Sequence, residues 1–367
     1  MSARRLTRLA LAIAALASCR EVDTVEPEAA DHAPSVAKPA PEPSRLLYPN
    51  APSSFVDIVQ RAKSGVVGIR SSKPVKSGPA AMYPNAPETT ADVALGTGFL
   101  IEAKGVYVLT NDHIAAGATE LLVSLPGGKD VPAKVIGRDP RLDLALLSID
   151  EPRLTALPLG DSDVLKVGEW IVVLGNPFGN DVTAAAGIVS SNGSNGVSLV
   201  EDRATSHRSY LQVDARIHRG NSGGPVLDTA GQVVGVAIAT SDRPTELSFA
   251  IPINRAKEII GALRDYGQVA RSWLGARVIP VSPELAAQLG TSSIGGAYVT
   301  EIVPGSPAAH STLRVGDVIL KWGPQAVDAR NLPWVVSVTP NDTRIQVSVW
   351  RNKTEMRLDV ITAKVPQ

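Results

Sequence analysis

The chain has 367 residues, 36 basic and 36 acidic side chains, 28 prolines and one cysteine, and 44% of it is hydrophobic. At roughly 100 to 200 residues per domain it divides into two or three domains. The charge balance lacks the basic face that neutralises nucleic-acid phosphates, so no nucleic-acid partner is expected, and a lone thiol excludes a disulfide framework or a cysteine-rich zinc or iron-sulfur site.

Arg4, Arg5 and Arg8 precede an apolar run from Leu9 to Ser18, a positive n-region followed by a hydrophobic segment, which reads as a secretory signal. As a helix that run reaches about 15 Å, half of the roughly 30 Å hydrocarbon core, so it is too short to span. It ends in Leu16-Ala17-Ser18-Cys19, which resembles the lipobox of bacterial lipoproteins and makes Cys19 the candidate lipidation site and membrane anchor. Ala15-Leu16-Ala17 also fits a plain cleavage site and a soluble product. Residues 20–53 are rich in Pro, Ala, Glu and Asp without an apolar period, and predict a flexible tether.

A short amphipathic helix follows, with Phe55, Ile58, Val59 and Ala62 at helical spacing; Phe55 fits either a core staple or an aromatic contact between subunits. Strand-like runs then come at 66–69, 99–101, 107–110, 121–125, 131–136 and 144–149, and again at 170–174, 184–189, 210–213, 225–227, 233–239 and 247–251. With no helices between them to make crossovers, two sets of about six strands argue for two antiparallel barrels or sandwiches. Residues 71–94 hold Pro74, Pro79, Pro84 and Pro87 and read as a long loop, either functional or idle. A helix capped by Asn254, with its stripe at Ala256, Ile259, Ile260 and Leu263 and its stop at Gly267, marks a domain end. Residues 271–364 form a further unit of five strands and two helical stretches.

Gly220-Asn221-Ser222-Gly223-Gly224 contains Gly-x-Ser-x-Gly, a weak motif by itself. In an α/β-hydrolase the histidine follows the serine, which would select His310 in the separate C-terminal unit, and no helix follows Ser222. The order His, Asp, Ser is met by His113, Asp143 and Ser222. A serine hydroxyl becomes a useful nucleophile only when a base removes its proton, so His113 is the expected base and a buried Asp143 its orienting acid. Gly220 lets the loop turn so that its N–H and that of Ser222 form an oxyanion hole. His32, His207, His218 and His310 are scattered without metal-ligand spacing, and Asp214 reads as a structural hydrogen-bonder.

The segments Gly96-Thr97-Gly98-Phe99, Leu109-Thr110-Asn111-Asp112-His113, Asp143-Leu144-Ala145-Leu146, Gly175-Asn176-Pro177-Phe178-Gly179, Gly187-Ile188-Val189-Ser190, Gly220-Asn221-Ser222-Gly223-Gly224-Pro225 and Phe249-Ala250-Ile251-Pro252 resemble the HtrA (Deg) trypsin-like serine proteases. The resemblance covers residues 55 to about 362 and has mild departures: Asp112 stands where the family has Asn, and His218 replaces an Asn before the nucleophile. It implies a mainly β chain, with two six-stranded antiparallel chymotrypsin-like barrels (54–268) followed by a PDZ domain (269–364). It also implies serine endopeptidase activity on misfolded or regulatory proteins of the bacterial envelope, on its periplasmic side, with no metal or organic cofactor and a homotrimeric core. Ile217 and the strand Ala237, Ile238, Ala239, Thr240 and Ser241 are expected to line the specificity pocket. No Asp stands where a trypsin-like pocket carries one, so small aliphatic side chains are the expected substrates there. Trp273-Leu274-Gly275-Ala276 resembles the carboxylate-binding loop of such PDZ domains, where a protein C-terminus adds as a strand. Gly295-Gly296-Ala297, Gly305-Ser306-Pro307 and Val315-Gly316-Asp317-Val318 fit the same pattern, and no room for a second such domain is expected before Gln367. A peptide-binding adaptor or holdase built on an inert protease scaffold is the competing expectation.

Overall fold

The computed structural model describes residues 52–75, 89–152, 154–194, 210–218, 220–238, 248–291 and 295–366. The expected signal with Cys19, and the tether up to residue 51, lie outside them. α1 (Val56–Ala62) leads into β1 (Val66–Val75), β2 (Thr89–Glu102) and β3 (Val106–Thr110). After the single helical turn α2 (Asp112–Ala115) come β4 (Glu120–Ser124), β5 (Asp130–Asp139) and β6 (Leu144–Ile149). These six strands close into an antiparallel barrel in the order β1-β2-β3-β6-β5-β4. A second closed barrel repeats that permutation: β7 (Trp170–Gly175), β8 (Thr183–Ser194), β9 (Tyr210–Val213), β10 (Pro225–Leu227), β11 (Val233–Ile238) and β12 (Ser248–Pro252) run β7-β8-β9-β12-β11-β10. Closure leaves no strand edge and decides for barrels over sandwiches.

The near-continuous apolar runs follow from burial on both strand faces. In β6, Ala145 and Leu147 point into the first barrel's own core while Leu144 and Leu146 join a cluster that lies between the barrels. Period-two alternation produces this division. The shared cluster also takes Phe99 and Ile101 from β2, Val172 and Leu174 from β7, and the buried face of α3 (Ile253–Tyr266). The catalytic candidates sit at strand ends along this seam.

Two expectations need correction. Residues 71–94 are not one loop: β1 continues to Val75 and β2 begins at Thr89, so Pro74 pairs with Thr90 in a two-stranded arm. Past Ser72, β1 no longer pairs with β4, and an edge position of that kind tolerates proline. Asn254 does not cap α3, because Pro252 holds the N-cap position and Asn254 lies inside the helix. Its amide instead donates to Asp161 at 2.6 Å, and its own N–H is satisfied by the Ser162 hydroxyl at 3.1 Å. Gly267 ends the helix as expected, with φ 74° and its N–H returned to Leu263 O.

The C-terminal unit comprises β13 (Ser272–Trp273), β14 (Ala276–Pro280), α4 (Pro283–Gln288), β15 (Ala297–Ile302), α5 (Pro307–His310) and β16 (Val318–Trp322). It continues with β17 (Gln325–Ala326), α6 (Leu332–Val338), β18 (Arg344–Arg351), β19 (Thr354–Ile361) and β20 (Ala363–Lys364). Its main sheet runs β14-β15-β16-β18-β19, which makes β14 an edge strand. Three helices stand where two helical stretches were expected.

Candidate active site

β3 delivers the chain to Asn111, whose extended backbone starts α2 and places His113 in its first turn. The Asn111 amide does not cap that helix; it donates to the Asp143 carbonyl at 2.9 Å and so ties α2 to the turn before β6. Asp143 occupies that turn with φ 60°, a left-handed conformation that Asp adopts more readily than most residues. Its carboxylate is divided between two donors on one residue: Oδ1 accepts the His113 backbone N–H at 2.9 Å, and Oδ2 meets His113 Nδ1 at 2.8 Å. A carboxylate only accepts, so Nδ1 is the protonated nitrogen and Nε2 carries the lone pair. The Asp143 side chain is 16% exposed and His113 46%. Asp143 was expected to be buried and is partly so, and the backbone N–H of His113 does part of the orienting.

Ser222 reaches the same seam on a loop between β9 and β10. Its carbonyl accepts Thr97 N at 2.9 Å, and the Thr97 hydroxyl donates to Gly220 O at 2.6 Å. Both ties cross from the first barrel to the second. Gly223 N donates to Ala237 O at 2.9 Å and Ala237 N to Gly224 O at 2.8 Å, which fixes the other side of the loop to β11. Gly223 has φ 82°, and a Cβ there would lie 2.2 Å from Thr97 O, 2.3 Å from Thr110 Oγ1 and 3.1 Å from Asn111 N. The residue after Ser222 thus packs against the residue two before His113. The structure joins His113 and Asp143 directly and brings Ser222 to them through these neighbours.

Of the oxyanion-hole candidates, Gly220 lies in a turn closed by Asn221 N to His218 O at 3.0 Å, and Ser222 follows that turn. Gly220 has φ 95° there, a conformation that glycine adopts without a Cβ penalty. The Gly220 N–H donates to no group among the described residues. Of the expected pocket residues, Ile217 is half-buried and its N–H donates to the Ser248 hydroxyl at 3.2 Å. Ala237 is fully buried in the second barrel's core, Ile238 is buried in the shared cluster, and Ala239, Thr240 and Ser241 lie outside the described residues.

Two charged features were missed in the sequence. The Asp112 carboxylate takes Arg138 Nε at 2.5 Å and Nη2 at 3.1 Å, so the departure from Asn is matched by a cation from β5. That hydrogen bonding raises the Arg138 guanidinium above its usual value. Lys73, on the β1 arm, donates to the His113 carbonyl at 2.9 Å. Burial first, then Arg138, lowers the ammonium's pKa, against the pull of Asp112. No local pattern signals either contact, since the partners are 26 and 40 residues apart.

In the C-terminal unit, the Leu274 carbonyl accepts Ala308 N and the Gly275 carbonyl accepts Val303 N, each at 2.8 Å. A trans peptide directs the next N–H opposite to its carbonyl, so the amides of Gly275 and Ala276 face away from α5. A cavity of about 510 Å3 lies beside them, with Leu274, Ala276, Val278, Leu332 and Val336 among its apolar walls. Arg141 and Leu142, directly before Asp143, also line it.

Residues 96–236 match the model of the trypsin-like peptidase domain, and residues 272–362 that of the PDZ domain. A protein of Pseudomonas putida (strain W619) described as "Probable periplasmic serine endoprotease DegP-like" is 39% identical over 277 residues, covering 74% of this chain and 56% of its own. A protein of Marinomonas sp. (strain MWYL1) with the same description is 38% identical over 271 residues, covering 73% and 56%. The chain spans about half the length of these curated relatives. Among solved structures, "HtrA-type protease AlgW with decapeptide" is 34% identical with a TM-score of 0.65, covering 86% of this chain and 99% of that one. A serine endoprotease from Yersinia pestis is 26% identical with a TM-score of 0.57, covering 86% and 100%.

Proposed function

The chain belongs to the HtrA-type trypsin-like serine proteases that carry a PDZ domain, and on that premise we propose that it is a periplasmic serine endopeptidase using Ser222, His113 and Asp143. The observation that carries this reading is the Asp143 carboxylate held on both the backbone and the ring of His113 beside the Ser222 loop. His113 Nε2 takes the Ser222 proton as Oγ attacks the scissile carbonyl, then returns it to the leaving amine. The N–H groups of Gly220 and Ser222 stabilise the oxyanion, and water attacks the acyl-enzyme ester with the same imidazole as base.

The division into a signal (1–19), a tether (20–53), a protease domain (54–268) and a PDZ domain (269–364) belongs to the same proposal, as do Cys19 lipidation and a homotrimeric core. Misfolded or regulatory proteins of the envelope are the proposed substrates. C-terminal peptides are the proposed ligands of the groove at Trp273, Leu274, Gly275 and Ala276. The edge strand β14, the outward amides and the apolar cleft against α6 support that mode of recognition.

Hydrolysis of unfolded casein and covalent labelling by a fluorophosphonate test the reading. Ser222→Ala is expected to abolish labelling and to lower turnover by about 10^4-fold or more. Casein cleavage that survives Ser222→Ala would overturn the assignment. A parent chain that stays unlabelled, even with a groove-binding peptide present, would favour the inert scaffold.

A further inference from the structure

The cavity beside β14 and α6 has a wall that a simple apolar groove does not need. Arg141, Arg255 and Arg271 line it from outside the PDZ sheet, Arg277 lines it from β14, and among the described residues no acidic side chain does. Arg277 is paired with Glu301 at 3.1 Å, and Arg271 with Asp139. Arg255 meets Glu258 at 3.7 Å and also feels the charge of Asp163. The Arg141 guanidinium forms no ion pair among the described residues. Arg271 is 9% exposed, and its Nε is a buried donor without a partner. Burial is the main reason its pKa is lowered, and the charge of Arg141 adds to that against the pull of Asp139. Arg255 and Arg271 also flank Trp334 of α6 at 4.8 and 4.9 Å, which fixes this cationic wall to the helix of the groove.

A peptide that adds to β14 as a strand turns successive side chains to opposite faces. Its terminal side chain enters the apolar cleft of Leu332 and Val336. The side chain before it turns away from that cleft, and of the cations lining the cavity Arg141 is the one that forms no ion pair among the described residues.

We propose that this cavity selects C-terminal peptides whose penultimate side chain is a carboxylate, paired by Arg141. The inference rests on the reading of the groove as a C-terminal peptide site.

Fluorescence anisotropy on the full chain carrying Ser222→Ala tests it, with fluorescein-labelled Gly-Ser-Gly-Ala-Glu-Val and Gly-Ser-Gly-Ala-Gln-Val as probes. The Glu peptide is expected to bind about fivefold tighter at low salt, the size of a partly exposed ion pair, and the preference should shrink as salt screens it. Arg141→Gln should weaken the Glu peptide alone and bring the two affinities together. Arg141→Glu should turn the preference toward a peptide with penultimate Lys. Equal affinities in the parent, or a preference that survives Arg141→Gln, would overturn the inference while leaving the groove intact. Failure of both peptides to bind would remove the groove reading and the inference with it.

Discussion

The two barrels share a strand order and divide the chemistry, and they hold their parts of it by different means. The first barrel positions imidazole and carboxylate through charged side chains: Asp112 with Arg138, Asp143 with His113, and Lys73 on the His113 carbonyl. The loop of the proposed nucleophile is held without charged side chains, by Ser222 O with Thr97 N, the Thr97 hydroxyl on Gly220 O, and Gly223 N with Ala237 O, at approaches that leave no space for a Cβ on Gly223. A group that must accept and release a proton is set by partners that compensate charge. A group that must meet a carbonyl at fixed geometry is set by packing. The contrast predicts how each half fails.

Outside the proposed triad, Gly223→Ala should be the most damaging change, because its Cβ collides with a backbone carbonyl at 2.2 Å in a left-handed conformation. A loss of about 3 kcal/mol or more in denaturant unfolding, with activity reduced at least about 100-fold, is expected. Near-parental turnover would end the claim that packing sets the nucleophile. Arg138→Met comes next: it leaves the carboxylate of Asp112, 8% exposed, without its cation. Because Arg138 is itself 36% exposed, the expected cost is about 2 kcal/mol rather than the full penalty of a buried pair. Adding Asp112→Asn should recover most of it, and a double-mutant cycle without coupling would refute the pairing. Lys73→Met should lower kcat by about three- to tenfold with KM unchanged, the loss of one charge-assisted hydrogen bond that orients His113. Lys73→Arg should restore part of it, and a change confined to KM would contradict a positioning role. Arg277→Ala should have the smallest effect, within about 0.5 kcal/mol in thermal unfolding, since the ion pair with Glu301 is 75% and 56% exposed.

What the sequence disclosed follows from the range of the forces involved. The β6 run and the Asp143 before it were readable because strand alternation and turn chemistry act over a few residues. The order of the proposed triad, His113, Asp143 and Ser222, could be read because each member sits in a short motif of its own. The arm beyond Ser72 was misread as loop because its strands pair only with each other and carry no buried-face pattern. Asn254 was misread as a cap because its amide has a better acceptor in Asp161, 93 residues away. The arginine wall around Trp334 depends on contacts between residues far apart in the chain, and no local spacing encodes it.

Helix α3 follows the second barrel in sequence but packs on the first as well, against β5 and β6. Gly137 of β5 lies so close that a Cβ there would stand 2.2 Å from the Leu263 carbonyl. Arg264 reaches back to Ala103 O at 3.0 Å, and Arg138 N donates to Gly267 O at 3.0 Å. During synthesis, the half of the enzyme that leaves the ribosome first therefore keeps an uncovered flank for more than a hundred residues of further translation, until this helix emerges to cover it. A nascent chain halted between the barrels would present that apolar flank to whatever chaperone or protease meets it.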